Sequence, residues 1–449
     1  MKKQINFLLV ILFLASLIFA QPEFTADSIK NVCKRVAGGR LKSTQGNGWQ
    51  GSTYYEGIMA LYYMTKEKKY LDSAIAWGNY HNWLSSSDDT FPTNFDNTCC
   101  YQTYLEIYAQ DTSKANYNRA IAALKYAKRY TYDTCPNNCK SPSWPIVDMY
   151  HMAGPIYPRA ASLLKDSIML DSLHKFAIGN NTRHYNIKDS LFNSNCGDTS
   201  RVRDAYWGRG CGWGVAAHCR ILQWLPSNHP SKPWYEGYLK ACLTRLVRLQ
   251  NQTDGMWRSD LINHPEWNKE ASATAFFTFG YFYAIRTGIL DSAAFIGIAK
   301  KAWKGLLDCI GVDPAKPDLI GWSQGVGGGP SNNFGPTNHD EYTEGAFFLA
   351  GYEFYRLLTE GVTKGTTKIS NENYINNINI NNAKNYCFII NNNRILNNIK
   401  VPFTAKNIKI YSLSGKLIYT SNNLNITQHN LFLKDKFKNN KGIVIVKFE

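Results

Sequence analysis

Several widespread catalytic signatures are missing from this 449-residue chain. It has no Gly-x-Ser-x-Gly elbow, phosphate-binding loop, His-Glu-x-x-His helix or dinucleotide fingerprint. These gaps argue against serine hydrolases built on that elbow, nucleotide-dependent enzymes and zinc proteases. Beyond the first twenty residues no apolar run is long enough to cross a membrane, so no membrane span is expected. A helical stripe of Lys and Arg is also missing, so nucleic acid is not an expected partner. The formal net charge of +16 does not contradict this, because 13 Lys and Arg against 3 Asp and Glu fall between Gly361 and Glu449. The remainder is only mildly basic. Groups spaced as metal ligands are scarce. Cys135-x3-Cys139 is the sole candidate and lacks a partner pair, so no metal and no cofactor are expected.

Other features are plentiful. Aromatic residues include 12 Trp and 28 Tyr, and 44% of the chain is hydrophobic, enough for a sizeable core. Met1 to Ala20 has a short basic start, an apolar run from Phe7 to Phe19 and then Ala20-Gln21-Pro22. It is too short for a membrane span and reads as a signal peptide, residues 1–20. The expected location is therefore exported, either secreted or at the cell surface, with the periplasm as the alternative. Eleven Cys are present. In an exported chain Cys135 and Cys139, flanking Pro136-Asn137-Asn138, are expected to form a local disulfide.

From Phe24 onward apolar residues recur at helical spacing. Trp49 to Thr65 and Lys69 to Trp83 form one pair joined by a short polar link. Thr98 to Gln110 pairs with Tyr117 to Tyr130, and Ile146 to Leu164 with Ser167 to Ile178. Tyr206 to Leu225 pairs with Trp234 to Leu249, and Ala271 to Thr287 with Ser292 to Leu307. A last helix, Tyr342 to Leu358, returns to the first, Phe24 to Val36. About twelve helices in six hairpins predict an all-α (α/α)6 barrel over residues 21–362, with an open helical solenoid as the alternative. Gly-rich and aromatic stretches precede helices rather than joining hairpin partners, which favours one shared cavity. The helical period then stops. Residues 363–449 contain 20 Asn and short alternating runs at Asn385 to Ile390, Asn407 to Ser412, Lys416 to Thr420 and Gly442 to Phe448. An Asn-rich linker at 363–382 and a small β-sandwich-like module at 383–449 are expected.

Trp207 to Trp213, WGRGCGW, stands out within this frame. Three Gly are unfavourable in a helix by about 1 kcal/mol each against Ala. Gly admits close backbone approach, Trp offers a flat face to a sugar ring, and Arg a fork for a carboxylate. The stretch reads as the floor of a site for an acidic sugar, or as a tight helix start with core Trp. Asp148 lies in the apolar WPIVDMYHM, where a carboxyl tends to hold its proton near neutral pH and suits a general acid. Asp96, in TNFDNTCC, is a second carboxylate of this type. Both also stand where a helix cap is the plainer explanation.

WGRGCGW resembles the WxRGNGW signature of glycoside hydrolase family 105, the unsaturated rhamnogalacturonyl hydrolases. Further stretches agree in order: NFDNTCCYQTYLEIY (Asn94 to Tyr108), WPIVDMYHM (Trp144 to Met152), DGMWRSDL (Asp254 to Leu261) with KEASATAFF following, and GWSQ (Gly321 to Gln324) with EYTEGAFFLAGYEFYRL. The likeness covers about residues 24 to 360. It implies a barrel hydrolase acting on an acidic oligosaccharide, removing the 4,5-unsaturated uronic acid from the non-reducing end of pectin (rhamnogalacturonan) lyase products. It places the acid/base on Asp148 and the second carboxylate on Asp96. Arg209 is expected to pair with the sugar carboxylate or a hydroxyl, and Trp207, Trp213 and Trp144 to contact substrate. No cofactor is implied. An unsaturated glucuronyl hydrolase and a non-catalytic glycan-binding protein are the alternatives. The chain departs from the pattern at Cys211, Asn97, Ala271 and Ala273, and at Leu191 to Cys196. IKIYSLSGKLIY (Ile408 to Tyr419) and KGIVIVKF (Lys441 to Phe448) are similar to C-terminal sorting modules of proteins exported across an outer membrane, which implies secretion machinery as a partner. A carbohydrate-binding appendage is the alternative.

Overall fold

The structure, a computed structural model, describes residues 24–41, 45–86, 95–132, 146–193 and 206–363, together with four short strands between 386 and 448. The expected signal peptide, the Asn-rich linker, Trp144 and the Cys135–Cys139 pair lie outside the described residues.

The hydrophobic period becomes helix almost where it is read. α1 (Ala26–Gly38) is opened by a capping box in which Thr25 and Ser28 satisfy each other's backbone N–H. α2 (Trp49–Thr65), α3 (Lys68–Tyr80), α4 (Cys100–Tyr108) and α5 (Ile121–Arg129) follow. Ile146 to Leu164, expected as one helix, is two: α6 (Asp148–Ala153) and α7 (Ile156–Leu164). Gly154-Pro155 divides them, since Pro supplies no N–H to continue the ladder. α8 (Ile168–His184) precedes a small hairpin of β1 (Tyr185–Asn186) and β2 (Leu191–Phe192), which helical periodicity could not announce. α9 (Gly208–Leu222), α10 (Lys232–Leu246), α11 (Ala271–Arg286), α12 (Ser292–Leu307) and α13 (Glu341–Glu360) complete the helical part.

The helices form two layers. α2, α4, α6–α7, α9, α11 and α13 pack side by side in a ring, closed by α13 against α2, and α1, α3, α5, α8, α10 and α12 back them from outside. The expected return of the last helix to the first is present as α13 against α1. Position decides composition. α11 lies between partners on every side, and all of its residues are buried. α1 buries only Ile29, Cys33, Val36 and Ala37, one stripe of an amphipathic helix. At the closing seam α2 and α13 touch through backbone. A Cβ on Gly345 would stand 2.2 Å from the Thr53 carbonyl oxygen, and one on Gly57 would stand 2.5 Å from the Gly345 carbonyl oxygen. Trp303 of α12 stacks on Phe347 of α13 with centroids 4.5 Å apart, one of many aromatic contacts between the layers.

The tail strands are β3 (Tyr386–Phe388), β4 (Ile408–Ser412), β5 (Leu417–Ser421) and β6 (Val444–Phe448). They make one antiparallel sheet in the order β3-β6-β4-β5. A second layer, which a sandwich needs, is not among the described residues. No helix of the described residues is long and apolar enough to cross a membrane.

Candidate active site

The inner helices all begin at one end of the ring, and the candidate residues gather there. Asp148 opens α6, Trp49 opens α2, Arg209 lies in the first turn of α9, Glu270 caps α11 and Tyr342 lies in the first turn of α13. Six helix N-termini present the positive ends of their dipoles on this side, a setting that favours an anionic sugar. A cavity of about 110 Å³ opens here, lined by Asp96, Asp148, Trp49, Ile146, Met152 and the loop residues Val326 to Gly328.

Asp148 is half-buried, with protein around the carboxyl and one side on the cavity. Burial, reinforced by the neighbouring Asp96 carboxylate, pushes its pKa up to about 7. Arg209, the Asp148 backbone N–H and the Trp213 indole pull the other way without reversing the shift. Burial raises the Asp96 carboxyl as well. Asp96 sits in a short 3₁₀ turn, Phe95–Thr98, beside α4. The two carboxyls thus share one cavity, and Asp148 is held as an acid near neutral pH.

The WGRGCGW stretch plays a different part from the expected floor. Trp207 and Trp213 are each 1% exposed, Arg209 is fully buried, and none of them lines the cavity. Gly208 and Gly212 face protein: a Cβ on Gly208 would stand 2.6 Å from the Arg258 carbonyl oxygen, and one on Gly212 3.1 Å from Phe276 Cβ. They let α9 lie against α11 and the backbone of Arg258 and Ser259. Trp213 supports the acid from behind, its indole on Asp148 and its ring against Phe276 (4.4 Å) and His151 (4.9 Å).

Arg209 is held within the barrel wall behind the cavity. Its guanidinium lies over the Trp207 ring at 4.5 Å and the Tyr342 ring at 5.0 Å. Its terminal nitrogens donate to the Gln324 carbonyl at 2.5 Å and the Gly325 carbonyl at 3.0 Å. These two nitrogens hold the loop that follows Gln324, Nε has no partner among the described residues, and the charge reaches Asp148 through space. Trp207, expected as a wall, instead donates its indole N–H to Gln324 Oε1 at 2.9 Å.

Gln324 is the hub of this arrangement, and sequence reading quoted it in GWSQ without giving it a role. Its backbone N–H donates to Glu270 Oε1 at 2.9 Å, and its carbonyl also accepts from the Tyr342 hydroxyl. Its side-chain oxygen accepts from Ser259 as well as Trp207, and its side-chain nitrogen donates to the Gly329 carbonyl at 2.8 Å. Both ends of the 325–329 loop are thereby tied to the barrel, and Val326, Gly327 and Gly328 are left facing the cavity. Trp49, absent from the expected set, is an actual wall. It packs edge-on to Trp213 at 5.8 Å and against Tyr342 at 4.9 Å. Its place as the first residue of an inner helix is the signal that would have found it. Trp144 lies outside the described residues.

Two of the departures are not among the residues that line the cavity. Cys211 Sγ is 3.7 Å from Cys242 Sγ of α10, on the outer side of α9. Asn97 accepts from the Ser86 hydroxyl at 2.6 Å. One buried grouping among the described residues could hold a cation: Glu56, Cys99 and His151, with ligand atoms within 4.8 Å of one another. Arg220 Nε already stands 3.2 Å from Glu56 Oε2, so a fixed cation occupies that carboxylate.

A closed ring of helices with an acid-poised carboxyl at the mouth defines a helical-barrel glycoside hydrolase. The sequence model of Glycosyl Hydrolase Family 88 matches residues 24–358, and the chain belongs to that family. The chain is 24% identical over 331 residues to an unsaturated 3S-rhamnoglycuronyl hydrolase of Formosa agariphila, covering 69% of this chain and 84% of that protein. It is 20% identical over 267 residues to an unsaturated rhamnogalacturonyl hydrolase of Bacillus subtilis, covering 57% and 76%. In fold it resembles a family 88 glycosyl hydrolase from Bacteroides vulgatus, with a TM-score of 0.66, 24% identity, and 75% of this chain and all of that one covered. The likeness to family 105 thus falls within a family 88 assignment.

Proposed function

We propose that this hydrolase removes a 4,5-unsaturated uronic acid from the non-reducing end of oligosaccharides made by lyases, with a rhamnose-type sugar next in line. The observation that carries the reading is the Asp148 carboxyl, open to the cavity and raised to about 7 by burial and by Asp96. The reaction is hydration of a vinyl ether. Protonated Asp148 gives its proton to C4, positive charge develops at C5 and the ring oxygen, and water adds at C5 as the Asp148 carboxylate takes up a proton. The resulting hemiketal opens and releases the next sugar. The anomeric carbon is not attacked, so the separation of the two carboxyls does not report stereochemistry here. Asp96 keeps the Asp148 pKa high and faces the same water. Trp49 and the 325–329 loop shape the mouth. Both relatives' names combine an unsaturated uronyl group with a rhamnose-type unit, which supports that choice of neighbour over a general glucuronyl hydrolase. A non-catalytic glycan-binder loses its main motive, because Cys211 and Asn97 do not line the cavity.

The same reading has residues 1–20 removed on export and the β-strand tail acting as a sorting module. The test is incubation with lyase-digested rhamnogalacturonan and, separately, lyase-digested sulfated rhamnoglycuronan, following loss of enol-ether absorbance. Loss on either, with release of a keto-acid, supports the proposal. Binding of both without turnover sinks it.

A further inference from the structure

A second cavity among the described residues is larger than the one at Asp148. About 380 Å³ lies at the opposite end of the ring, where α2, α9, α11 and α13 finish. That volume is within the range of small-molecule sites. Its wall is cationic. Arg220, Lys232, Arg286 and Arg356 line it against a single lining carboxylate, Glu106. Part of this has a structural explanation, because basic side chains suit the negative ends of helix dipoles. The carboxylates that balance them stand mostly behind the wall. Arg286 and Arg356 share Glu353, which is fully buried, Arg356 also holds Glu360 at 2.9 Å, Arg220 stands 3.2 Å from Glu56, and Lys232 faces Glu236 at 3.6 Å. Glu106 Oε1 already accepts from both Arg159 and Arg220.

Arg286 is the informative residue. It is 4% exposed, and its Nε donates to Glu353 Oε2 at 2.5 Å. Its two terminal nitrogens have no hydrogen-bond partner among the described residues, and its guanidinium lies 5.7 Å from the Tyr283 ring centre. A buried guanidinium with its planar end unpaired, on the wall of a cavity with three further cations, is built to receive oxygen acceptors.

We propose that this cavity is a second ligand site that binds an oxyanion, either free or carried on a small sugar. Arg286 would supply paired N–H donors and Lys232, nearer the rim, a mobile charge. The site is separate from the acid at the other mouth, so the two can be tested apart.

The test is calorimetric titration of the full-length protein at neutral pH and constant ionic strength. One arm uses sodium sulfate, and the other sodium glucuronate, a saturated uronate with no enol ether to hydrate. Saturable binding of either probe is expected, with a dissociation constant of about 1 mM or tighter. Lys232→Gln, at the rim, should weaken it at least about tenfold, as should Arg286→Lys, which keeps a cation for Glu353 but removes the free fork. Trp49→Ala, which removes a wall of the catalytic mouth, should leave it unchanged. Sulfate alone binding assigns the site to free oxyanions, and binding of glucuronate with the same Lys232 dependence extends it to sugar acids. No saturable binding of either probe, or binding indifferent to both basic-wall variants, overturns the proposal. So does binding lost in Trp49→Ala, which would place the probe at the catalytic mouth. Should Arg286→Lys fail to fold, the Lys232→Gln result decides.

Discussion

Replacing Asp148 by Asn should break catalysis and strengthen the fold at once, and the two effects have different pH dependence. The carboxyl rises from its ordinary 3.8 to about 7 on folding. A group whose folded pKa is raised contributes most below its unfolded pKa, and that contribution is lost as pH climbs to the folded value. Each unit is worth about 1.4 kcal/mol, so the full shift corresponds to about 4 kcal/mol. One side of the carboxyl meets the cavity, and solvent screening there reduces the effect to an order of 2–4 kcal/mol. Asn carries no such load and can still accept from the Trp213 indole. The stability of Asp148→Asn relative to the natural protein should therefore rise between about pH 4 and pH 7 and level off above. Urea denaturation at several pH values measures this. The same variant should lose about 10³–10⁴-fold in kcat with a modest change in KM, since the lost proton transfer belongs to the transition state. A variant that gains no stability toward pH 7 would refute the account of Asp148 as a desolvated acid. Near-normal turnover would refute its role in the reaction.

Other residues give sharper local tests. Asp96→Asn removes the like charge that helps to raise Asp148, so the alkaline fall in kcat/KM, expected near pH 7, should move to lower pH; an unmoved limb in the pH–rate profile would uncouple the two carboxyls. Gln324→Ala strands the Trp207 N–H and the Ser259 hydroxyl and frees the 325–329 loop; about 3 kcal/mol should be lost in denaturant melts, with a raised KM, and a KM equal to that of the natural protein would show that the loop does not shape the mouth. Gly345→Ala forces a Cβ to within 2.2 Å of the Thr53 carbonyl oxygen and should cost about 1–3 kcal/mol or more by thermal denaturation, whereas a neutral result would mean that the seam between α13 and α2 can open.

How far the sequence could be read follows from what each residue does. The helices were legible because a two-layer barrel imposes two patterns: outer helices such as α1 carry one apolar stripe, and inner ones such as α11 are apolar throughout. Asp148 and Asp96 were legible as carboxylates at the heads of apolar stretches, but from the residues alone a helix cap explained them as well, and only the fold shows that both line one cavity. The roles within WGRGCGW were not legible. A buried Arg that holds backbone carbonyls and one aimed at a carboxylate look the same in one dimension, and the position of Gln324, more than a hundred residues away, shows that Arg209 holds carbonyls. The glycines carry the same ambiguity, because close approach to a ligand and close approach to a neighbouring helix require the same missing Cβ. Sequence therefore marked the helical frame and a carboxyl that the frame brings to its mouth. The charged cavity at the far mouth left no local pattern, because its four cations come from separate elements and meet only when the ring closes. That difference predicts where substitutions will be tolerated. A change inside WGRGCGW should act on catalysis indirectly, through the loop that Gln324 anchors and the support behind Asp148, so Arg209→Lys should lower kcat/KM while leaving the Asp148 pKa close to its present value, since a cation remains beside it. An alkaline limb that shifts in Arg209→Lys as far as it does in Asp96→Asn would mean instead that Arg209 acts mainly by its charge on Asp148.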